Sequence, residues 1–222
     1  KADYWIPIRP QTDAALWLGV TRLMIENRWY DERFVKEFTD FPLLVRTDTL
    51  KRLRAREVFP DYRTSLSPDG PSMKIQGLTA EQHARLGDFV VWDRSASAPR
   101  ALTRDDVGRR ILEKGIDPAL EGTFNVKLAN GRVVKVATLW TLYQTHLKDY
   151  DLKTVGEITR APVALVEQLA RDIATLKPVA IHQGEGINHW FHATEMNRAA
   201  YLPLMLTGNI GQPGAGCHTW AG

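Results

Sequence analysis

The sequence predicts an α/β fold in which an open sheet is flanked by helices, and three observations carry that prediction. First, an apolar helical stripe (Leu165, Val166, Leu169, Ile173) runs into Lys177-Pro178, and the short run Val179-Ala180-Ile181 follows. Gly184-Glu185-Gly186 then leads into a further helical run through Arg198 and Leu206. Helix, strand, glycine turn, helix is the unit of an open Rossmann-like sheet, where ligands lie beyond the C-terminal ends of the strands. Second, 222 residues at 44% hydrophobic content suffice for a packed core, in one sizeable domain or two small ones. Third, Phe124-Asn125-Val126-Lys127-Leu128 and Val133-Val134-Lys135-Val136 flank Ala129-Asn130-Gly131-Arg132, a β-hairpin signal with Asn-Gly at its turn.

In chain order, residues 4–9 read as a short strand or extended lead-in, stopped by Pro7 and Pro10. A helix starts at Thr12 or Asp13 with Thr12 as N-cap, and its core stripe is Leu16, Val20, Leu23 and Met24. Tyr30-Asp31 opens a second helix carrying Phe34, Val35 and Phe38, and Leu43-Leu44-Val45 reads as a buried strand. The basic run Lys51, Arg52, Arg54, Arg56, Arg63 is either a solvated helical face or a surface for an acidic partner. Residues 64–99 show weak periodicity, with a turn signal at Asp69-Gly70-Pro71 and a brief strand at Phe89-Val90-Val91-Trp92. Residues 51–136 are therefore expected to be an irregular insertion that carries the hairpin. Helices are expected at 103–114, 138–149 and 154–159, and another with Pro162 in its first turn.

Composition excludes several classes. A net charge of +3 without a sustained basic stripe gives no electrostatic footprint for nucleic acid. The single cysteine, Cys217, rules out an internal disulfide and any four-cysteine zinc or iron–sulfur site built from this stretch. No apolar run approaches the roughly twenty residues of a membrane span, and no signal peptide opens the chain. A start at Lys1 and a stop just after a glycine-rich turn predict an internal piece of a larger polypeptide, which leaves the compartment unknown.

The chemistry concentrates near the C-terminus. Glycine turns let a backbone approach an anion, and a helix start offers free N–H groups and a positive dipole end. Gly184 and Gly186 precede one helix, and Gly208, Gly211, Gly214 and Gly216 follow it, which together suggest a site for a large phosphate-bearing ligand. The third glycine of a dinucleotide fingerprint would fall at His189, so a nicotinamide site is not supported. His182, His189, His192 and His218 cluster without a His-Glu-x-x-His or second cysteine, so no metal ligand is assigned. Asn188 and His189 suit hydrogen bonding to phosphate or a heterocycle. Glu195 and Arg198 are placed to pair along a helix, and Cys217 reads as structural rather than nucleophilic. Asp13 either complements its helix dipole or reads the N–H and NH2 edge of guanine.

Thr207-Gly208-Asn209-Ile210-Gly211-Gln212-Pro213-Gly214-Ala215-Gly216 resembles the Thr-Gly-Asn-x-Gly-x-Pro-Gly-x-Gly loop of the molybdopterin oxidoreductases of the dimethyl sulfoxide reductase family. Pro10-Gln11-Thr12-Asp13-Ala14-Ala15-Leu16 resembles their Pro-Gly-Thr-Asp-x-Ala-Leu segment, with Gln11 where the family usually has glycine. The resemblance implies molybdenum bis(molybdopterin guanine dinucleotide) as cofactor. It places Thr12 and Asp13 at a guanine, and Gly184, Gly186, Asn188, His189, Thr207, Gly208, Asn209, Gly211, Gly214 and Gly216 along pterin or pyrophosphate.

Gly186-Ile187-Asn188-His189-Trp190-Phe191-His192 is most similar to the alpha subunits of respiratory nitrate reductases and nitrite oxidoreductases, with perchlorate, chlorate and selenate reductases near them. This implies oxygen-atom transfer coupled to two electrons, with nitrite or nitrate as substrate. The expected partners are an iron–sulfur beta subunit and a haem or membrane-anchor subunit. The family's metal ligand and iron–sulfur cysteines lie upstream of such a segment, so no catalytic residue is nominated and the segment is expected to be inactive alone. A formate dehydrogenase relative, or a non-catalytic nucleotide-binding domain, are the competing expectations.

Overall fold

A computed structural model describes residues 2–63, 66 and 70–219. The turn predicted at Asp69-Gly70-Pro71 therefore lies partly outside the described residues. The chain runs through α1 (Asp13–Glu26), α2 (Glu32–Phe38), β1 (Leu44–Arg46), α3 (Ala55–Val58) and α4 (Ala80–Leu86). It continues with β2 (Phe89–Asp93), β3 (Ala98–Leu102), α5 (Arg109–Glu113), β4 (Thr123–Lys127), β5 (Val133–Thr138) and α6 (Leu139–His146). Last come α7 (Leu152–Thr159), α8 (Val163–Thr175), β6 (Ala180–Gln183), α9 (Glu185–Asn188), α10 (Ala193–Thr207) and β7 (Gly216–Thr219). These form a mixed α/β structure of helices and small open sheets, as the sequence predicts, in two compact units. Lys1–Val35 with Gln144–Gly222 make the first, and Lys36–Tyr143 the second.

The first unit holds the parallel pair β6–β7, in register from Ala180 opposite Gly216 to Gln183 opposite Thr219. Helix α10 packs on both strands, and α1 packs on α7, α8 and α10. The stripe of α1 is buried at Leu16, Val20 and Met24, whereas Leu23 is half-buried on its margin. A Cβ on Gly19 would lie 2.6 Å from Val155 Cγ2, so the small residue is what lets α1 and α7 approach. Helix α7 starts earlier than its apolar pattern suggested, because Asp151 accepts the Thr154 N–H at 2.8 Å as a side-chain cap.

In the second unit, β1, β5 and β4 form an antiparallel sheet, and β2 pairs with β3. The predicted hairpin is β4–β5, with Val126 opposite Val134. Gly131 takes φ of 86° at its turn, a conformation that glycine adopts without steric cost. Residues along β2 alternate between two cores. Val90 joins Leu44, Val126 and Val136, while Phe89 and Val91 join Leu43, Leu102 and Ile111. Both faces are buried, which is why β2 reads as an unbroken apolar run. Its partner β3 escaped sequence reading because Pro99 interrupts it, tolerated here opposite Trp92.

Three expected helices are cut short. Only α5 forms within 103–114, since the Asp106 carboxylate takes the Thr103 N–H at 2.7 Å and Gly108 turns to φ of 53°. The basic run is helical only across α3. Nor does one helix begin at the Gly184 turn: α9 stops after one turn, and His192 at φ of 63° separates it from α10. His189 and His192 are thus the end of one helix and the residue before the next.

Candidate functional site

Strand β6 ends at Gln183, and the chain leaves it through Gly184 into α9. An open cleft of about 400 Å³ lies there, lined by Asp13, Gly184 and Gly186 together with Ile8, Pro10, Ile187 and Trp190. The start of α1 and the glycine turn after β6, distant in sequence, thus meet at one surface.

The lead-in holds Asp13 in place. Arg9 donates its N–H to the Thr159 carbonyl at 2.7 Å, tying residues before α1 to the end of α7. Gln11 then turns through φ of 71°, and the Thr12 hydroxyl donates to the Arg9 carbonyl at 2.6 Å. Thr12 occupies the N-cap position but its side chain does not cap, because its hydroxyl serves the preceding turn. Asp13 is half-buried, and burial pushes its carboxyl above the usual range while its own N–H pulls back. Among the described residues it has no cationic partner. A carboxylate in this setting is an acceptor in need of donors.

Gly184 and Gly186 need a different explanation from most glycines. Gly184 is extended at φ of −121°, neither residue has a positive φ, and a Cβ on either would meet no atom within 4 Å. Backbone geometry and packing among the described residues therefore do not require glycine at these positions. What the missing side chains leave clear is the floor of the cleft.

A second cleft, of about 340 Å³, shares Gly184 and is lined by His182, Gln183, His218 and Thr219. His182 and His218 are register partners on β6 and β7, and their rings stack at 5.0 Å. Sequence spacing alone did not show this pairing, because it depends on the parallel alignment of two distant strands. Buried Gln183 donates Nε2 to the Asn197 carbonyl at 3.4 Å, and its Oε1 has no partner among the described residues. Burial raises the Cys217 thiol, which stays protonated beside Tyr201 and is not an activated nucleophile.

The loop after α10 is built from inward bonds. Thr207 donates to the Pro203 carbonyl at 2.8 Å, and Asn209 Nδ2 donates to Thr207 Oγ1 at 2.7 Å. Asn209 Oδ1 accepts the Val179 N–H at 3.0 Å, and Lys177 Nζ reaches the Thr207 carbonyl at 2.7 Å. Gly208, Gly211, Gly214 and Gly216 all have positive φ, so here the glycines do answer a backbone need. This loop sits where β6 and β7 begin, about 10 Å of strand away from Gly184. The structure accordingly gathers Asp13, Gly184 and Gly186, but leaves Thr207, Gly208, Asn209, Gly211, Gly214 and Gly216 at the other end of the strand pair. Asn188 is exposed with its Oδ1 accepting from Asn197 Nδ2 at 2.9 Å, and His189 is exposed beside it. Glu195 lies 3.8 Å from His192 Nδ1 rather than pairing with Arg198.

The family model for molybdopterin oxidoreductases matches residues 1–221. The chain belongs to the molybdopterin oxidoreductases. It is similar to the alpha subunit of respiratory nitrate reductase from Haloferax mediterranei, at 35% identity over 99% of this chain and 21% of that protein. The perchlorate reductase alpha subunit of Dechloromonas aromatica is 31% identical over 100% of this chain and 24% of its own length. The chlorate reductase alpha subunit of Ideonella dechloratans is 28% identical, again over 100% of this chain and 21% of that protein. The chain spans about a quarter or less of these relatives.

The cofactor of molybdopterin oxidoreductases is a molybdenum–molybdopterin group, and the residues at the first cleft fit part of such a ligand. Side-chain-free glycines at a helix start suit an oxyanion. An unpartnered, half-buried carboxylate suits paired N–H donors.

Proposed function

We propose that this chain is the cofactor-holding part of a molybdenum oxidoreductase catalytic subunit that interconverts nitrite and nitrate. The observation that supports this most is the cleft at which Asp13 meets Gly184 and Gly186. The cofactor is read as the bis(molybdopterin guanine dinucleotide) form. Asp13 accepts from the guanine N–H and NH2 edge, Thr12 fixes the turn that aims it, and Gly184 and Gly186 admit pyrophosphate or pterin. Asn188 and His189 edge the same turn. Thr207, Gly208, Asn209, Gly211, Gly214 and Gly216 work at one remove, by anchoring the start of β6 so that its far end is fixed. When bound, the molybdenum centre supplies two-electron oxygen-atom transfer; the residues here bind and orient it.

Nitrate chemistry is favoured by the 35% identity to a nitrate reductase alpha subunit. Reduction of another oxyanion is the second reading, favoured by 31% identity to a perchlorate reductase alpha subunit over the whole chain. The naming of both relatives as alpha subunits supports an iron–sulfur beta subunit as partner, with a haem or membrane-anchor subunit beyond it. Among the described residues no helix is long and apolar enough to cross a membrane. An iron–sulfur cluster is expected in the full-length subunit, ligated outside this segment. Residues 51–136 are read as an insertion into the cofactor-binding domain.

The test is cofactor occupancy of the full-length enzyme. Asp13→Ala is expected to reduce both the guanine nucleotide released on denaturation and the molybdenum content, by the loss of a charge-assisted bond pair worth about 2 kcal/mol. Unchanged nucleotide content would remove Asp13 from the site. Absence of both molybdenum and guanine nucleotide from the wild-type protein would overturn the whole reading.

A further inference from the structure

A larger cleft, of about 570 Å³, lies wholly within the second unit. Its base is closed by the buried core residues Phe89, Val91 and Leu102. Phe38 and Val107 stand on its edge, 51% and 45% exposed. Its rim carries Arg52, Arg54, Arg85 and Arg104. The Arg52 guanidinium lies 5.1 Å above the Phe89 ring, which joins the rim to the base.

The acidic groups of the same wall are Glu37, Asp40 and Asp106, and Glu37 is buried. Asp106 is committed to the Thr103 N–H and to Lys114 at 2.6 Å. Asp40 lies 3.9 Å from Arg52 and is largely exposed, so it contributes little. Arg85 has only the solvent-exposed pair with Glu81 one helical turn back. Arg54 is half-buried, and among the described residues its guanidinium has neither a hydrogen bond nor a carboxylate at ion-pair distance. Burial first, and then the neighbouring arginines led by Arg52, lower its pKa, while Asp88 partly offsets them.

A cleft rimmed by four arginines, with exposed Phe38 and Val107 on its edge, favours an acidic occupant that also carries apolar surface. A small hydrated anion would satisfy one arginine and leave Phe38 and Val107 exposed. An extended acidic chain can set an aliphatic or aromatic side chain against Phe38 and Val107 and distribute carboxylates along the rim. We propose that this cleft docks an acidic segment of a partner polypeptide, with an apolar residue against Phe38 and Val107 and flanking carboxylates on Arg54 and Arg104. This does not depend on the cofactor reading, because no residue of the first unit takes part.

The experiment uses the full-length protein purified with its accompanying chains. Arg85→Lys and Arg104→Lys keep the charge and place a carbodiimide-reactive amine on the rim. Zero-length coupling followed by mass spectrometry then identifies the carboxylate in contact. The expected product joins the new amine to an acidic stretch of a second polypeptide that contains an aliphatic or aromatic residue. A fluorescent synthetic copy of that stretch should bind the full-length protein once the accompanying chain is removed. Arg54→Glu should weaken it at least about tenfold, and so should about 0.5 M salt. Arg104→Glu, at an exposed position, repeats the test without touching the start of α3, and Arg132→Glu, away from the cleft, should change nothing. Coupling only within the same polypeptide, no coupling at all, a bound small organic acid, or peptide affinity indifferent to Arg54→Glu and Arg104→Glu would each overturn the proposal.

Discussion

Asp13 and Gly186 line the same cleft, although nearly the whole chain separates them in sequence. One offers a carboxylate without a cationic partner among the described residues, and the other a backbone without a side chain. Neither feature helps an empty protein, and both make sense beside a ligand.

Gly186→Val should therefore separate binding from folding. Its side chain would project into open cleft, and glycine there is already a poor helix former. Unfolding stability of the full-length protein made without cofactor should change by no more than about 0.5 kcal/mol. Guanine nucleotide and molybdenum content should fall severalfold. Equal losses in stability and occupancy would mean that the glycine serves only the fold.

Asn209→Ala should behave in the opposite way. It leaves the Val179 N–H without its acceptor and removes the Nδ2 donor to Thr207 Oγ1, which keeps its bond to the Pro203 carbonyl, at a cost of about 1–3 kcal/mol. Occupancy should fall only as far as stability does, which paired denaturant melts and nucleotide assays would show.

Asp13 gives a pH signature. Burial raises its folded-state pKa, so the cofactor-free fold favours the neutral form more than the unfolded chain does. Its contribution to stability is whole below the unfolded value of 3.8 and is lost as pH rises through the folded value. Asp13→Asn cannot ionise, so its stability relative to wild type should grow as pH rises from the unfolded value of 3.8 through the folded value and then level off. With cofactor bound the comparison should reverse, because guanine donors favour the carboxylate. Melting curves of both forms across pH would reveal a relative stability that stays flat or changes in the other direction.

Gln11 occupies a left-handed conformation that costs a non-glycine residue about 1–2 kcal/mol. Gln11→Gly should stabilise the protein by about 0.5–1 kcal/mol after the added freedom of the unfolded chain is allowed for. Gln11→Val should destabilise it by at least as much. A denaturant titration of the pair that shows no difference would mean the turn is not held as described.

Local marks made some of this legible in the sequence. The hairpin was readable because Asn130-Gly131 and its alternating flanks specify turn and strands together. Helices α1 and α8 announced themselves through apolar stripes, and Asp13 and the glycine turn through their chemistry. What escaped depends on distant partners. Strand β7 is Gly-Cys-His-Thr, unremarkable until it lies beside β6, and the His182–His218 stack exists only in that alignment. The break at His192 has no proline or glycine to mark it. The loop from Thr207 to Gly216 reads as a ligand-holding turn, yet Asn209 points at Val179, a contact across the sheet that no local pattern encodes.

The first unit is assembled from two stretches of chain with the whole of the second unit between them. A ribosome that has reached Tyr143 has released everything Lys36–Tyr143 needs to fold, but only Asp13 of the three residues gathered at the first cleft. Translation order thus imposes a schedule: the intervening unit can settle early, whereas any cofactor must wait for Gly186 to emerge. A chain cut short between Tyr143 and Gly186 would carry the whole of the second unit and an incomplete first cleft.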